Sequence, residues 1–122
     1  MKIAIVNGRG ASGKTTFETM VQKIAAARGK KVKVISTITY VKEVAKLFGW
    51  DGGKTPEDRR FLSDLKDALT RWKDAPYQKV KGFIEIYEKS DTDLLFIDCR
   101  EPEEIARFVN DYGALTILVQ RG

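Results

Sequence analysis

The sequence predicts an α/β fold: a parallel sheet of about four strands with helices on both faces. Three observations carry this. Short apolar or β-branched runs alternate with stretches of helical periodicity along all 122 residues. The first apolar run opens into a glycine-rich loop that leads straight into a helical stretch. A later run, "LLFID" at 94–98, ends in a carboxylate. Strands that alternate with helices are joined by crossovers, and right-handed crossovers produce a parallel sheet covered on both faces.

Each element has its own local reason. Ile3, Ala4, Ile5 and Val6 run together, so residues 2–7 read as a buried strand. Phe17, Met20, Val21, Ile24 and Ala25 recur at helical spacing over 14–28, and Gly29 stops that helix. "KVKVIS" at 31–36 alternates and is β-branched, which predicts a second strand. A helix over 39–48 ends at Gly49, and "GWDGGK" is a loop. Thr55 then serves as N-cap, Pro56 as the first helical residue and Asp58 as the capping-box partner. Phe61, Leu62, Leu65, Leu69 and Trp72 form the apolar face of that helix. Pro76 opens a further helix with Tyr77, Val80, Ile84 and Tyr87 inward, and Pro102 opens one carrying Ile105, Phe108 and Val109. "ALTILV" at 114–119 is the last strand.

Length suits a single domain over 1–122 with a modest core. The segment 37–90 is longer and more helical than a crossover needs, which points to a binding role. No apolar run approaches the ~20 residues that span a bilayer, so no membrane role is expected. Met1 leads directly into a strand, and Cys99 is the only cysteine. No internal disulfide is possible and a cytoplasmic setting is expected; Cys99 itself reads as an inert, half-buried thiol. The absence of histidine excludes Ser-His-Asp and Cys-His triads, histidine-ligated zinc and imidazole bases. A net charge of +5 suits an anionic ligand.

The loop "NGRGASGKTT" at 7–16 supplies that ligand's chemistry. Gly8, four residues, then Gly13-Lys14-Thr15 satisfies the phosphate-loop pattern between a strand and a helix. Gly8, Arg9, Gly10, Ala11, Ser12 and Gly13 would curl so that successive amides point at an anion. Lys14 would reach the β- and γ-phosphates of ATP, and Thr15 would ligate Mg2+, with Thr16 alongside in the first helical turn. The helix terminus adds positive potential. Asp98, at the end of an apolar strand, would hold the water shell of the Mg2+.

Three stretches carry a family resemblance: this loop, "VISTITYVKEV" at 34–44 and "FIDCREPEE" at 96–104. Together they resemble the nucleoside monophosphate kinases, especially the small deoxynucleotide-kinase-like members related to adenylate kinase. The resemblance covers about residues 1–120 and implies strand order 2-3-1-4, with the Gly8 loop and Asp98 on adjacent central strands. It implies phosphoryl transfer from ATP to a nucleoside or deoxynucleoside monophosphate. Thr37 and Lys42 match the Ser-Thr and following basic position at the family's acceptor site, where an arginine is commoner than Lys42. Arg100 matches the arginine that binds the acceptor phosphate just past the third-strand aspartate. Such kinases continue into an arginine-bearing lid and a fifth strand. Here Arg121 stands where the lid would begin, so the resemblance implies a form without them.

Charge chemistry agrees with such a reaction. Phosphoryl transfer is mostly positioning and charge neutralisation, so it needs a cationic cradle for the donor and a clamp for the acceptor. Lys42, Arg59, Arg60 and Arg100 are the candidates for the clamp, Arg59 and Arg60 because the first turn of a helix is an unfavourable place for cations. The competing reading of Lys42 is a solvated helix face. The basic run "RGKKVK" at 28–33 reads as a solvated turn rather than a nucleic-acid surface. Trp50, Trp72, Tyr40, Tyr77 and Phe83 read as core, with Tyr40 and Trp50 the first candidates for base stacking. A rival class is a switch ATPase that acts with a protein partner, like the partition and septum-placement ATPases. Those have a lysine near the position of Arg9 and an aspartate ending the second strand, where this chain has Ser36. A nucleotide-binding relative without catalysis is the third reading.

Overall fold

A computed structural model of the chain describes residues 1–8 and 13–120. Arg9, Gly10, Ala11 and Ser12 of the loop, and Arg121, lie outside the described residues. The chain divides into two compact units, Met1–Ser36 with Ile84–Gly122, and Thr37–Phe83.

The first unit holds a four-stranded parallel sheet: β1 (Lys2–Asn7), β2 (Val32–Ser36), β3 (Leu94–Asp98) and β4 (Leu115–Leu118), in the order β2-β3-β1-β4. This is the predicted fold class and the strand order that the resemblance implies. Central parallel strands are covered on both faces, which is why β1 and β3 read as continuous apolar runs. Their residues Ala4, Ile5, Val6, Leu95, Phe96 and Ile97 are all fully buried. Ala4, Val6 and Phe96 share one face with Ile117 and Val119, and Phe17 and Val21 pack on it. The Phe17 and Phe96 rings lie 5.9 Å apart. Strand alternation sends Ile3, Ile5, Leu95 and Ile97 to the opposite face.

Helix α1 (Lys14–Ala27) joins β1 to β2, and α5 (Pro102–Tyr112) joins β3 to β4. In the observed order these two connections step across the sheet in opposite directions. Right-handed crossovers therefore place α1 and α5 on opposite faces. Helix α1 closes with Gly29 at φ 71°, where the Gly29 amide donates to Ala26 O and the Lys30 amide to Ala25 O. That pairing satisfies the last carbonyls and needs a left-handed residue. The buried stripe of α1 is not the one the periodicity names. Phe17 and Val21 face the sheet, but Met20 and Ile24 are 52% and 50% exposed. Cys99 is fully buried rather than half-buried, because its backbone still runs beside β1 and donates to Val6 O.

The second unit contains α2 (Thr39–Leu47), α3 (Pro56–Lys73) and the greater part of α4 (Ala75–Lys89). Val41, Ala45, Tyr77 and Val80 are buried there. Two expectations about α3 fail. Phe61 is 39% and Trp72 is 66% exposed, whereas Lys66 is buried. At ~100° per residue, Leu62, Leu65, Lys66 and Leu69 form one stripe roughly 100° wide, and Phe61 and Trp72 both fall to one side of it, roughly 70–90° from its centre. Trp72 is thus a surface residue, with Lys73 Nζ 4.7 Å from its ring centroid. Tyr40 and Phe83 flank Lys79 Nζ at 5.9 and 5.4 Å. The first turn of α3 carries Glu57 and Asp58. Arg59 and Arg60 follow as the fourth and fifth helical residues, so acids rather than cations hold the favourable positions.

The start of α3 follows the predicted capping box. The Asp58 amide donates to Thr55 Oγ1 at 3.1 Å, and the Thr55 amide to Asp58 Oδ2 at 3.2 Å. Thr55→Ala removes the first of these and should lower the stability of the protein by about 1 kcal/mol, read as a shift in the urea unfolding midpoint at constant slope.

Candidate functional site

The carboxyl ends of β1 and β3 and the start of α1 meet at one place. In the parallel register Val6 lies opposite Asp98, and Ser36 of β2 flanks Asp98 on the other side. β1 ends at Asn7, followed by the buried Gly8. Gly13 then turns the chain into α1 with φ 91° and ψ 12°, a left-handed conformation that favours glycine. As N-cap, Gly13 offers no side chain, and no acidic residue stands in the first turn.

Lys14 is the first residue of α1, and its Nζ lies 3.8 Å from Asp98 Oδ2. Both side chains are mostly shielded, at 18% and 17% exposure, so the pair is screened less than a surface ion pair. Residues four apart on a helix share a face, and Lys14 therefore has Glu18 beneath it. Glu18 is 4% exposed. Burial first, then the neighbouring Asp98 side chain and its negative charge, push the Glu18 carboxyl up to about 8, against the opposing pull of Lys14. At neutral pH Glu18 is thus mostly protonated, and Lys14 balances the remaining charge of the carboxyl pair. Oε2 of Glu18 is buried with no hydrogen-bond partner among the described residues.

The predicted site residues divide into groups. Lys14 and Asp98 are brought together, with Thr15 and Thr16 exposed beside Lys14 and Gly8 at the end of β1. Arg100 is exposed two residues beyond Asp98, at the same carboxyl end of the sheet. Thr37 (buried) and Lys42, Arg59 and Arg60 (all exposed) belong to the second compact unit. Glu18 is the residue that sequence reasoning passes over. Its signal is a carboxylate four residues after the loop lysine, at the edge of the core-facing stripe of Phe17 and Val21.

Mg2+ binds through one or two carboxylates together with substrate phosphates and water. Asp98 and the Thr15 hydroxyl suit that mode. Among the described residues no group of three or more carboxylate, cysteine or histidine side chains forms a dedicated all-protein cage.

The raised Glu18 carboxyl has a consequence for stability. Between about 4.5 and about 8 the folded chain holds a proton there that the unfolded chain has released. Its stabilising effect is complete below 4.5 and is lost as pH rises through about 8, with a slope of at most ~1.4 kcal/mol per pH unit. Glu18→Gln should abolish this component. Urea unfolding of both proteins across that range should show wild type losing stability relative to the variant as pH rises, then running parallel above about 8.

No protein-family model matches the chain. Over 121 residues it is 31% identical to an uncharacterized ATP-binding protein of Methanocaldococcus jannaschii. The aligned region covers 96% of this chain and 43% of that protein, so the chain spans less than half the length of the relative it matches. None of the described helices is long and apolar enough to cross a membrane.

Proposed function

We propose that the chain binds the phosphates of ATP at the loop spanning 8–16, with a divalent cation, and transfers the terminal phosphoryl group to a nucleoside or deoxynucleoside monophosphate. The observation that carries nucleotide binding is the meeting of Lys14 and Asp98, 3.8 Å apart, where the central strands end and α1 begins. A lysine, a carboxylate and a helix terminus without a side-chain cap are the groups a Mg2+-bound phosphate chain requires. The similarity to an ATP-binding protein supports the same ligand.

On this reading Lys14 leaves Asp98 and turns to the β- and γ-phosphates. The Thr15 hydroxyl and Asp98 would hold Mg2+, which would supply positive charge against the phosphates, and the loop pattern assigns the amides of Gly8, Arg9, Gly10, Ala11, Ser12, Gly13 and Thr16 to phosphate binding. By the kinase resemblance Arg100 would grip the acceptor phosphate, and Thr37 and Lys42 would contact the acceptor; Arg59 and Arg60 are further cationic candidates for it. The chemistry needs orientation and charge rather than a histidine base.

Lys14→Ala should weaken Mg·ADP binding by about ten- to a hundredfold, the loss of one charged hydrogen-bonded contact. Unchanged affinity in calorimetric titration would remove the loop from the nucleotide site.

Arg100→Ala separates a kinase from a bare ATP binder. It should weaken binding of the preferred monophosphate by about ten- to a hundredfold and leave ATP affinity within about twofold. Arg100→Lys should recover only part, since an ammonium lacks the planar fork. Calorimetry with ATP and with a panel of monophosphates distinguishes the outcomes. Equal loss for both ligands assigns Arg100 to supporting the loop. No monophosphate binding by any form favours a switch ATPase or a non-catalytic binder.

A further inference from the structure

Helix α3 carries a second apolar stripe that the fold leaves open. Phe61, Leu65, Ala68 and Trp72 recur at spacings of four, three and four residues. That is the repeat of a coiled-coil seam, and at ~100° per residue the four lie within roughly 60° of one another. Leu65 is half-buried, at the border with the covered stripe, while Phe61, Ala68 and Trp72 are exposed. Lys73 lies over the Trp72 ring, yet the residue remains 66% exposed. Two aromatic side chains set in line on one helix face are the kind of surface that anchors a partner. Beside the seam, on the flank turned from the core, stand Asp64 and Arg71, both exposed. They are seven residues apart, or ~10 Å along the axis, beyond the three- and four-residue spacings at which side chains of one helix pair.

We propose that this seam docks a second copy of the chain, with the two α3 helices antiparallel about a two-fold axis that crosses the helix midway between Leu65 and Ala68. The pattern itself selects the partner. Spacings of four, three and four read the same in both directions, so a reversed copy of the seam meets it layer by layer. Phe61 then faces the partner's Trp72, and Leu65 faces the partner's Ala68, a large residue against a small one. Asp64 lies between these two layers and so stands opposite the partner's Arg71. The two-fold axis repeats that acid–base pair, as an isologous interface requires. A parallel pair would stack Phe61 on the partner's Phe61 and Trp72 on the partner's Trp72. It would also set Asp64 and Arg71 against the other flank of the seam, which holds Leu62 and Leu69. Charge complementarity therefore favours a copy of this chain, in the antiparallel sense.

Sedimentation equilibrium tests the proposal. A contact of three helical turns is smaller than a standard interface, so wild type should show a weak monomer–dimer equilibrium at concentrations below about 1 mM. Trp72→Ala should weaken it by about tenfold or more. Asp64→Arg and Arg71→Glu each set like charges opposite one another at two places, and each should weaken it by about tenfold or more. An equimolar mixture of these two charge variants should recover a dimer within about threefold of wild type, because both pairs then carry opposite charges. Recovery on mixing also shows that both variants are folded. Wild type that stays monomeric up to about 1 mM overturns the proposal, whatever else binds the seam. A dimer that none of the three substitutions weakens lies on another face and overturns it as well. Loss in Trp72→Ala without both the loss in the charge variants and the recovery on mixing overturns the antiparallel register.

Discussion

Val6 sits opposite Asp98 in the parallel pairing of β1 with β3, and the arrangement of the first unit follows from that register. Parallel strands bring their carboxyl ends to the same side of the sheet. Because β3 lies between β2 and β1, the carboxylate that ends β3 stands beside the strand that feeds the glycine-rich loop. A slip of one residue would invert every side chain of β3. Phe96 would leave the cluster it shares with Ala4, Val6 and Phe17, and Asp98 would turn from Lys14. Packing on the α1 face and the chemistry at the strand ends are therefore enforced by the same pairing.

The cluster of Lys14, Glu18 and Asp98 shows how a dry site tolerates three ionisable groups. Two carboxylates and one ammonium with little water between them would carry a net negative charge. Protonation of Glu18 relieves this. The site then holds one negative and one positive group, 3.8 Å apart. Incoming phosphates would exchange that internal balance for an external one, with Lys14 drawn to the anion and Asp98 to the accompanying cation. On the proposed nucleotide reading, the Lys14–Asp98 pair stands in for the ligand's charges when the ligand is absent.

The second unit obeys simpler rules. Its helices are bounded by local signals, a capping box at Thr55 and Asp58 and a left-handed Asp74 at the end of α3. Its surface is basic and aromatic in places, with Lys79 beside Tyr40 and Phe83 and Lys73 over Trp72. Thr37, Lys42, Arg59 and Arg60, proposed above for the acceptor, fall in this unit, whereas Asp98 and Arg100 fall in the other.

Much of the fold was legible because its causes are local. The strand and helix periods, the stop at Gly29, the cap at Thr55 and the helix start at Pro102 each depend on residues close in sequence. The strand order came from resemblance. Other features were not legible. Met20 and Ile24 match a helical apolar face as well as Phe17 and Val21 do, and only the position of the sheet decides which pair is covered. Phe61 and Trp72 looked like core because they share the helical period, and the packing of α3 uses a stripe rotated by about 40° toward Lys66.

Glu18 is the sharpest case of that division. By itself the sequence determined a phosphate-type loop, a strand ending in Asp98 and a lysine between them, because these are short patterns with local geometry. It also determined that any chemistry would proceed without histidine. Only the tertiary structure decided that Glu18 is buried against Asp98, since that contact joins residues 80 positions apart through the pairing of β1 with β3. A carboxylate on a helix reads as solvated until the sheet that covers it is in place.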